Sequence, residues 1–545
     1  MGLGSRVGCR PFLALAFIFI IMLLTLLVLY GFGIPKSLEA KVEKLVYIDD
    51  DRTVEGSRAA YPPRGWNSYD SFSWIISEEQ FLTNAQILSD KLLSFGYQYA
   101  VVDFLWYRKH ESGASVNSPG YDIIDEWGRP IPDPVRWPSS SGGKGFKQVA
   151  EKVHKMGLKF GIHVMRGISA QAVKTNTPIM GPQGVAYEEN GKIWRAKDIA
   201  LNGTRCVWMA ECFMSVDTSL RAGRAFIASL YHQYVDWGID LVKHDCIFGQ
   251  DLNIDEISLV SQIYLMHIQI LKDIDRPILY SISPGKDATP DMARKISKLV
   301  NMYRITADDW DSWHHIRSHF EVSRDFAASG LIGSQGLLGR SWPDLDMLPF
   351  GWLTDIGTQI MYLVSVDSNE GPHRFSKLLP DEQKVQMTLW AMAKSPIMFG
   401  GDLRQIDNAT MALITNPTIL DINANSTLNQ ELCVDPRSRT FQRIKSLFLK
   451  IVSTRVNNVR TWIAKGASGE SYIATFNLGD SKVSLHMKIH DIMLFESKLM
   501  ITKKKNATSC LYFDVWRNQN IEVYNNLLEI NVPRHGTNLL VLRCS

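Results

Sequence analysis

At 545 residues the chain is long enough for two domains and a large buried core. Its 59 Lys and Arg against 56 Asp and Glu, and 21% charged residues overall, describe an ordinary soluble surface and not that of a nucleic-acid binder. The aromatic content of 10%, with 15 Trp, fits a carbohydrate site only weakly, because most such rings serve the core.

No charged residue occurs from Pro11 to Pro35. An apolar stretch of about 20 residues spans a bilayer, whereas a signal-peptide core runs about 7 to 15. Residues 1–35 are therefore expected to be a cytoplasmic tail and signal anchor, with cleavage after Gly31-Phe32-Gly33 as the other reading. Arg6 and Arg10 on one side face Lys36, Lys41 and Lys44 on the other, so charge leaves the orientation open. The sequons at Asn202, Asn408, Asn425 and Asn506 all lie beyond the apolar segment, as in a type II membrane protein with a luminal body, or a secreted one if the segment is cut. Residues 36–61 read as a polar stalk.

From there to about residue 430, strand-like and helix-like stretches alternate. Strands are predicted at Arg64–Tyr69, Tyr97–Asp103, Lys159–Val164, Ile239–Asp245, Pro277–Ser283, Leu299–Ile305, near Asp344–Met347, and at Ser395–Phe399. Helices such as Glu78–Ser94, Gly145–Met156, Ser219–Trp237 and Leu379–Ala393 fall between them. This alternation predicts a (β/α)8 barrel over residues 62–430, whose chemistry would sit at the strand C-termini. The stretch from Arg166 to Asp217 is too long to be a mere connector and is expected to shape the site. Short alternating runs over 431–545 predict a C-terminal antiparallel β-sandwich. Seven cysteines fit a secretory enzyme with a few bridges; Cys206 and Cys212 are close enough to pair, as Cys510 and Cys544 are able to, but connectivity stays open. No metal-ligand spacing of the Cys-x-x-Cys or His-Glu-x-x-His kind occurs.

The apolar run Gly238-Ile239-Asp240-Leu241-Val242 ends in Lys243-His244-Asp245. Alternation puts Lys243 and Asp245 on one face and His244 on the other. A carboxylate beside an ammonium stays ionised and is a candidate nucleophile. A second carboxylate, Asp308, follows a later strand through Arg304-Ile305-Thr306-Ala307-Asp308. Two carboxylates at strand ends of one barrel suit glycoside hydrolysis.

The ordered set Gly65-Trp66-Asn67-Ser68-Tyr69, Val101-Val102-Asp103, Lys159-Phe160-Gly161-Ile162, Lys243-His244-Asp245, Arg304 with Asp308, Trp342-Pro343-Asp344-Leu345-Asp346-Met347-Leu348 and Ser395-Pro396-Ile397-Met398-Phe399-Gly400-Gly401-Asp402 resembles glycoside hydrolase family 27, the melibiase or α-galactosidase family. The resemblance runs from about Pro62 to the C-terminus. It implies a retaining exo-glycosidase acting on terminal α-D-galactosyl residues, with Asp245 as nucleophile and Asp308 as general acid/base, the latter starting protonated with the help of burial. Trp66 would pack on the sugar ring, and Asp103, Lys243, Arg304 and Asp346 would bind its hydroxyls. No cofactor and no metal is implied. Partners would be galactose- or arabinopyranose-terminated glycans, and the membrane through the N-terminal segment, with no nucleic acid.

The chain also departs from the family pattern. Phe104 stands where typical α-galactosidases carry a second Asp that grips O4 and O6, which raises β-L-arabinopyranosidase as the alternative or second activity. His163 replaces a frequent Tyr, Ser281-Ile282-Ser283-Pro284 replaces a Glu-containing segment, and Cys246 is shifted to the position directly after Asp245. More remote readings are a Golgi-type glycosyltransferase using Asp309-Trp310-Asp311 or Asp344-Leu345-Asp346 on a metal, and an inactive galactoside-binding homologue.

Overall fold

The computed structural model describes residues 58–206, 208–247, 254–270, 278–354, 373–432, 458–488, 510–521 and 527–544. The apolar segment, nearly all of the stalk and Asn506 lie outside them. Among the described residues no helix is long and apolar enough to cross a membrane. The sequon residues Asn408 and Asn425 are exposed.

Among the described residues eight parallel strands make the barrel wall: β1 (Arg64–Asn67), β2 (Tyr99–Val102), β3 (Lys159–Met165), β4 (Leu241–Asp245), β5 (Leu279–Ile282), β6 (Met302–Arg304), β7 (Gly339–Asp344) and β8 (Ile397–Phe399), with the short strand Ser334–Gly336 added antiparallel to the start of β7. Their order is β7-β6-β5-β4-β3-β2-β1-β8. The sheet curls into a barrel, and its two ends meet where Leu348 forms a parallel bridge with Phe399, its N–H donating to Met398 O at 2.8 Å.

The seventh strand corrects the expectation of Asp344–Met347, since it runs over the preceding residues and contains Pro343. Proline donates no hydrogen bond and is usually confined to edges. Here Trp342 N–H bonds back to Asn301 O on the β6 side, so Pro343 faces the β8 side, where pairing begins only at Leu348. The missing donor therefore costs no ladder bond.

Alternation along each strand sorts side chains into two shells. The barrel interior holds Tyr99, Val101, Leu241, Leu279, Met302, Met347 and Met398. Trp66 belongs to the other shell, packed with Phe81 of the helix Glu78–Leu92 at 5.7 Å between ring centroids. That helix starts with a capping box, Ser77 and Gln80 bonding each other's backbone N–H groups. It buries Phe81, Ala85, Leu88 and Leu92 on one stripe against the barrel. Space inside the barrel is short: a Cβ on Gly65 would lie 2.3 Å from Tyr99 O on the neighbouring strand.

After the barrel come β9 (Thr427–Glu431), β10 (Val459–Lys465), β11 (Ser471–Asn477), β12 (Val483–Lys488), β13 (Cys510–Asp514), β14 (Gln519–Ile521), β15 (Leu527–Val532) and β16 (Gly536–Cys544). Six make one antiparallel sheet, β9-β10-β11-β16-β13-β14, while β12 pairs with β15. Ile473, Leu485, Leu528, Ile530, Leu540 and Leu542 share an apolar cluster between the two sheets. Every residue of β11 is buried, because its other face meets the barrel helices, as in the Phe476–Phe320 ring contact at 5.0 Å. Trp516 and His535 add polar ties from this region to Thr388 and Glu382 of the helix Pro380–Met392.

Because Gly65 abuts the β2 backbone, Gly65→Ala is expected to destabilise the chain by about 1–3 kcal/mol through forced strand separation. Thermal denaturation would show it as a clearly lowered midpoint; an unchanged midpoint would mean that the strands part freely.

Candidate active site

The interior positions that carry apolar side chains low in the barrel carry charged ones at the strand C-termini. Leu241 is followed by Lys243 and Asp245, Val101 by Asp103, Met302 by Arg304, and Gly161 by His163, each two residues further along the same face. These groups open into a cleft of about 630 Å³ lined also by Tyr69, Asp70, Phe104, Trp208, Asp308, Trp310 and Asp346.

Lys243 is the central cation. Its Nζ lies 3.3 Å from Asp103 Oδ2, which also accepts from Asn67 Nδ2 at 2.8 Å. Burial works against both charges, but Asp103, Asp245 and Asp346 raise the ammonium above its usual value, and Lys243 with His163 holds Asp103 below the usual carboxylate range. Asp245 accepts from His163 Nε2 at 2.9 Å and from the backbone N–H of Cys246. Burial pushes its carboxyl up, yet the His163 hydrogen bond and the charge of Lys243 prevail and keep it below the ordinary range. Asp245 is thus an ionised acceptor, and His163 Nε2 is the ring nitrogen that faces it as donor.

Arg304 is the second cation. One nitrogen, Nη2, spans Asp308 Oδ1 at 3.0 Å and Asp346 Oδ2 at 2.7 Å. Asp346 has φ 94°, a region that side chains seldom adopt, and is held there by Asp309 N–H on its Oδ2 at 2.7 Å and by Trp390 Nε1 on its carbonyl at 2.9 Å. Burial lifts its carboxyl to about 6 against the pull of Arg304. Burial and then Asp346 raise Asp70 and Asp309 well above the ordinary range. Gln386 Nε2 bonds Asp309 at 2.6 Å, fixing it behind Asp346.

Of the seven residues singled out from the sequence, Asp103, Lys243, Asp245, Arg304, Asp308 and Asp346 converge on this cleft. Trp66 does not. It is fully buried, with Nε1 donating to Gly401 O at 2.8 Å, because it lies between the inward positions of Gly65 and Asn67 and must point outward. Tyr69 and Phe104 offer rings to the cleft instead, 5.3 Å apart, and Phe104 is edge-on to Trp208 at 5.7 Å. Nor is Asp308 buried as expected; its side chain is 69% exposed at the cleft mouth. His244 points away as alternation requires, bonded to Tyr280 Oη at 2.8 Å.

Cys206 bridges to Cys246 and not to Cys212, which is buried as a free thiol against Arg108 Nη2 at 3.4 Å. The bridge ties the long excursion between β3 and β4 to the residue after Asp245, and Trp208 is two residues beyond the tie. That excursion has its own small sheet, Ile168–Ser169, Phe213–Val216 and Ala200–Arg205. The backbones of Cys510 and Cys544 face each other on β13 and β16. Of the two Asp-x-Asp tripeptides, Asp311 is occupied by Arg374 and by the backbone N–H of Lys377, while Asp344 and Asp346 belong to the Arg304 cluster. Asn67, Tyr69 and Trp208 are contacts that motif reading did not assign to the site.

The family model described as alpha galactosidase A matches residues 375–425. The chain is 23% identical over 495 residues to the alpha-galactosidase mel1 of Schizosaccharomyces pombe, covering 87% of each chain. Its structure resembles that of a GH27 β-L-arabinopyranosidase from Geobacillus stearothermophilus, with TM-score 0.70 and 30% identity over 89% of this chain and 96% of that one. A variant of that enzyme in complex with arabinose aligns with TM-score 0.71 and 29% identity over 91% and 100% of the two chains. Matching a relative of this kind over nearly its whole length, the chain belongs to glycoside hydrolase family 27 and is a glycoside hydrolase.

Proposed function

We propose that this hydrolase removes terminal, non-reducing α-D-galactosyl residues by retaining double displacement, with Asp245 as nucleophile and Asp308 as acid/base. The observation that carries the reading is Asp245 itself: a half-buried carboxylate kept ionised by His163 and Lys243 in a cleft whose mouth bears Asp308. Asp308 protonates the glycosidic oxygen while Asp245 attacks C1; Asp308 then takes a proton from water, which displaces the ester at C1. Asp103, Lys243, Arg304 and Asp346 supply charged partners for the ring hydroxyls, and Tyr69 supplies the apolar contact. The catalysis asked of these residues is proton transfer and covalent capture, both within the reach of carboxylates.

A second substrate, the β-L-arabinopyranosyl group, is favoured by Phe104. Its ring stands in an apolar corner with Trp208 and Tyr69, next to Asp103. β-L-Arabinopyranose is α-D-galactopyranose without the hydroxymethyl group, and a phenyl ring gives that group no hydrogen bond. We further propose that the catalytic body acts in the lumen of the secretory pathway or outside the cell, tethered by residues 1–35 or released from them. The Cys206–Cys246 bridge, which needs an oxidising compartment, supports this.

Hydrolysis of nitrophenyl α-D-galactopyranoside and β-L-arabinopyranoside by the purified chain tests the assignment directly. Asp245→Asn is expected to lose at least about 10⁴-fold in kcat on both with its fold retained; wild-type turnover of neither would remove both sugars from consideration. Phe104→Asp is expected to move the galactoside-to-arabinoside ratio of kcat/KM by about 10–100-fold toward galactoside, the worth of one charged hydrogen bond. An unmoved ratio would deny Phe104 its role.

The pH profile should separate the carboxylates. A lowered value for Asp245 keeps the nucleophile charged throughout the mildly acidic range, whereas Asp346 gains a proton as the pH falls through about 6, which turns one of its oxygens into a donor and removes the charge that binds hydroxyls and Arg304. The acid limb of kcat/KM in the wild type is thus expected near pH 6, and Asp346→Asn should be slower but lack that limb. A limb that survives unchanged would assign it to another group.

A further inference from the structure

Double displacement fixes where the leaving group goes. Asp245 approaches C1 from one face, so the departing oxygen and whatever it carries leave from the opposite face, beside Asp308. At the cleft mouth Asp308 follows the exposed Ala307 and is followed, two residues on, by the half-buried Trp310. The Trp310 backbone is anchored on both sides. Its own N–H bonds His315 Nδ1 at 3.0 Å, and the next residue, Asp311, is clamped by Arg374 and by the N–H of Lys377 at 2.7 Å. The indole lies 5.8 Å from the Tyr69 ring, tilted by 45°, and both rings line the cleft. A ring whose backbone is already fixed offers contact area with little ordering left to do. The cleft volume of about 630 Å³ falls among those that enclose drug-sized ligands, which exceed a single pyranose. Across the mouth, Lys286 and Asp287 are exposed and opposite in charge, so that rim favours neither an acidic nor a basic aglycone.

We propose that Trp310, with Tyr69 beside it, is the binding subsite for the sugar ring of the leaving group, so that the preferred substrates are uncharged oligosaccharides or glycan chains with a second pyranose next to the terminal residue. The apolar C–H face of that pyranose would lie on the indole, while its glycosidic oxygen meets the Asp308 carboxyl. The inference rests on Asp308 being the acid.

The test compares a disaccharide carrying the terminal sugar with the fluoride of the same sugar, whose leaving group has no ring, for wild type, Trp310→Ala and Trp310→Phe. The disaccharide-to-fluoride ratio of kcat/KM is expected to fall about 3–10-fold in Trp310→Ala, mainly through KM, and to recover largely in Trp310→Phe. A ratio unchanged in Trp310→Ala, or a loss of equal size on both substrates, overturns the subsite. Should Asp308→Ala impair the fluoride, which needs no proton on a sugar oxygen, as severely as the disaccharide, the assignment of Asp308 fails and the subsite fails with it.

Discussion

Two cations, Arg304 buried and Lys243 half-buried, organise the upper barrel. Lys243 and Arg304 stand among Asp103, Asp245, Asp308 and Asp346, carboxylates that would repel one another in a space this small. Taking an ammonium and a guanidinium out of water is costly, and such a cluster persists only when each charge is met by several partners. Here one lysine faces three carboxylates and one arginine nitrogen spans two. The arrangement sets the carboxyls apart electrostatically: Asp103 and Asp245, which face Lys243 and His163, are driven below their ordinary range, whereas burial and mutual crowding drive Asp346, Asp70 and Asp309 above it. A site with carboxyls of both kinds can hold a nucleophile and hydroxyl partners in different protonation states at one pH.

The same logic explains why the aromatic wall matters. Lining the same cleft, Trp208, Phe104, Tyr69 and Trp310 form a run of rings with successive centroids under 6 Å apart. A pyranose has a hydroxyl-rich edge and an apolar face, and the cleft presents one wall for each. Two of these rings come from loops pinned close to the carboxylates, Trp208 by the Cys206–Cys246 bridge and Trp310 by Asp311. The apolar and polar walls are therefore kept in register by covalent and ionic ties, not by packing alone.

Much of this was legible in the chain. Strict alternation in Leu241-Val242-Lys243-His244-Asp245 was enough to put two charges on one face and His244 on the other. The same period of two turns Trp66 away from the cleft, between the inward Gly65 and Asn67, although the family motif implies a sugar contact there. The seventh strand precedes the expected Asp344–Met347 because Pro343 is accommodated where its donor side faces an unpaired stretch, a circumstance that local sequence does not encode. The disulfide partner of Cys206 and the partner of His163 are contacts between distant segments, and no local spacing encodes them. The exposure of Asp308 depends on how a loop leaves β6, which periodicity does not reach.

The barrel is irregular where β7 and β8 meet, since bonding between them waits until Leu348. Released from a ladder, Leu345 to Met347 are free to turn, and Asp346 takes the unusual backbone conformation that carries its carboxylate across to Arg304 and to the Asp309 amide. A flawlessly closed cylinder would have held these residues extended and turned the carboxylate along the strand. The gap in the hydrogen-bonded wall is thus where the fold exchanges regularity for reach, and a chain perfected at that point would be a better barrel with an incomplete binding site.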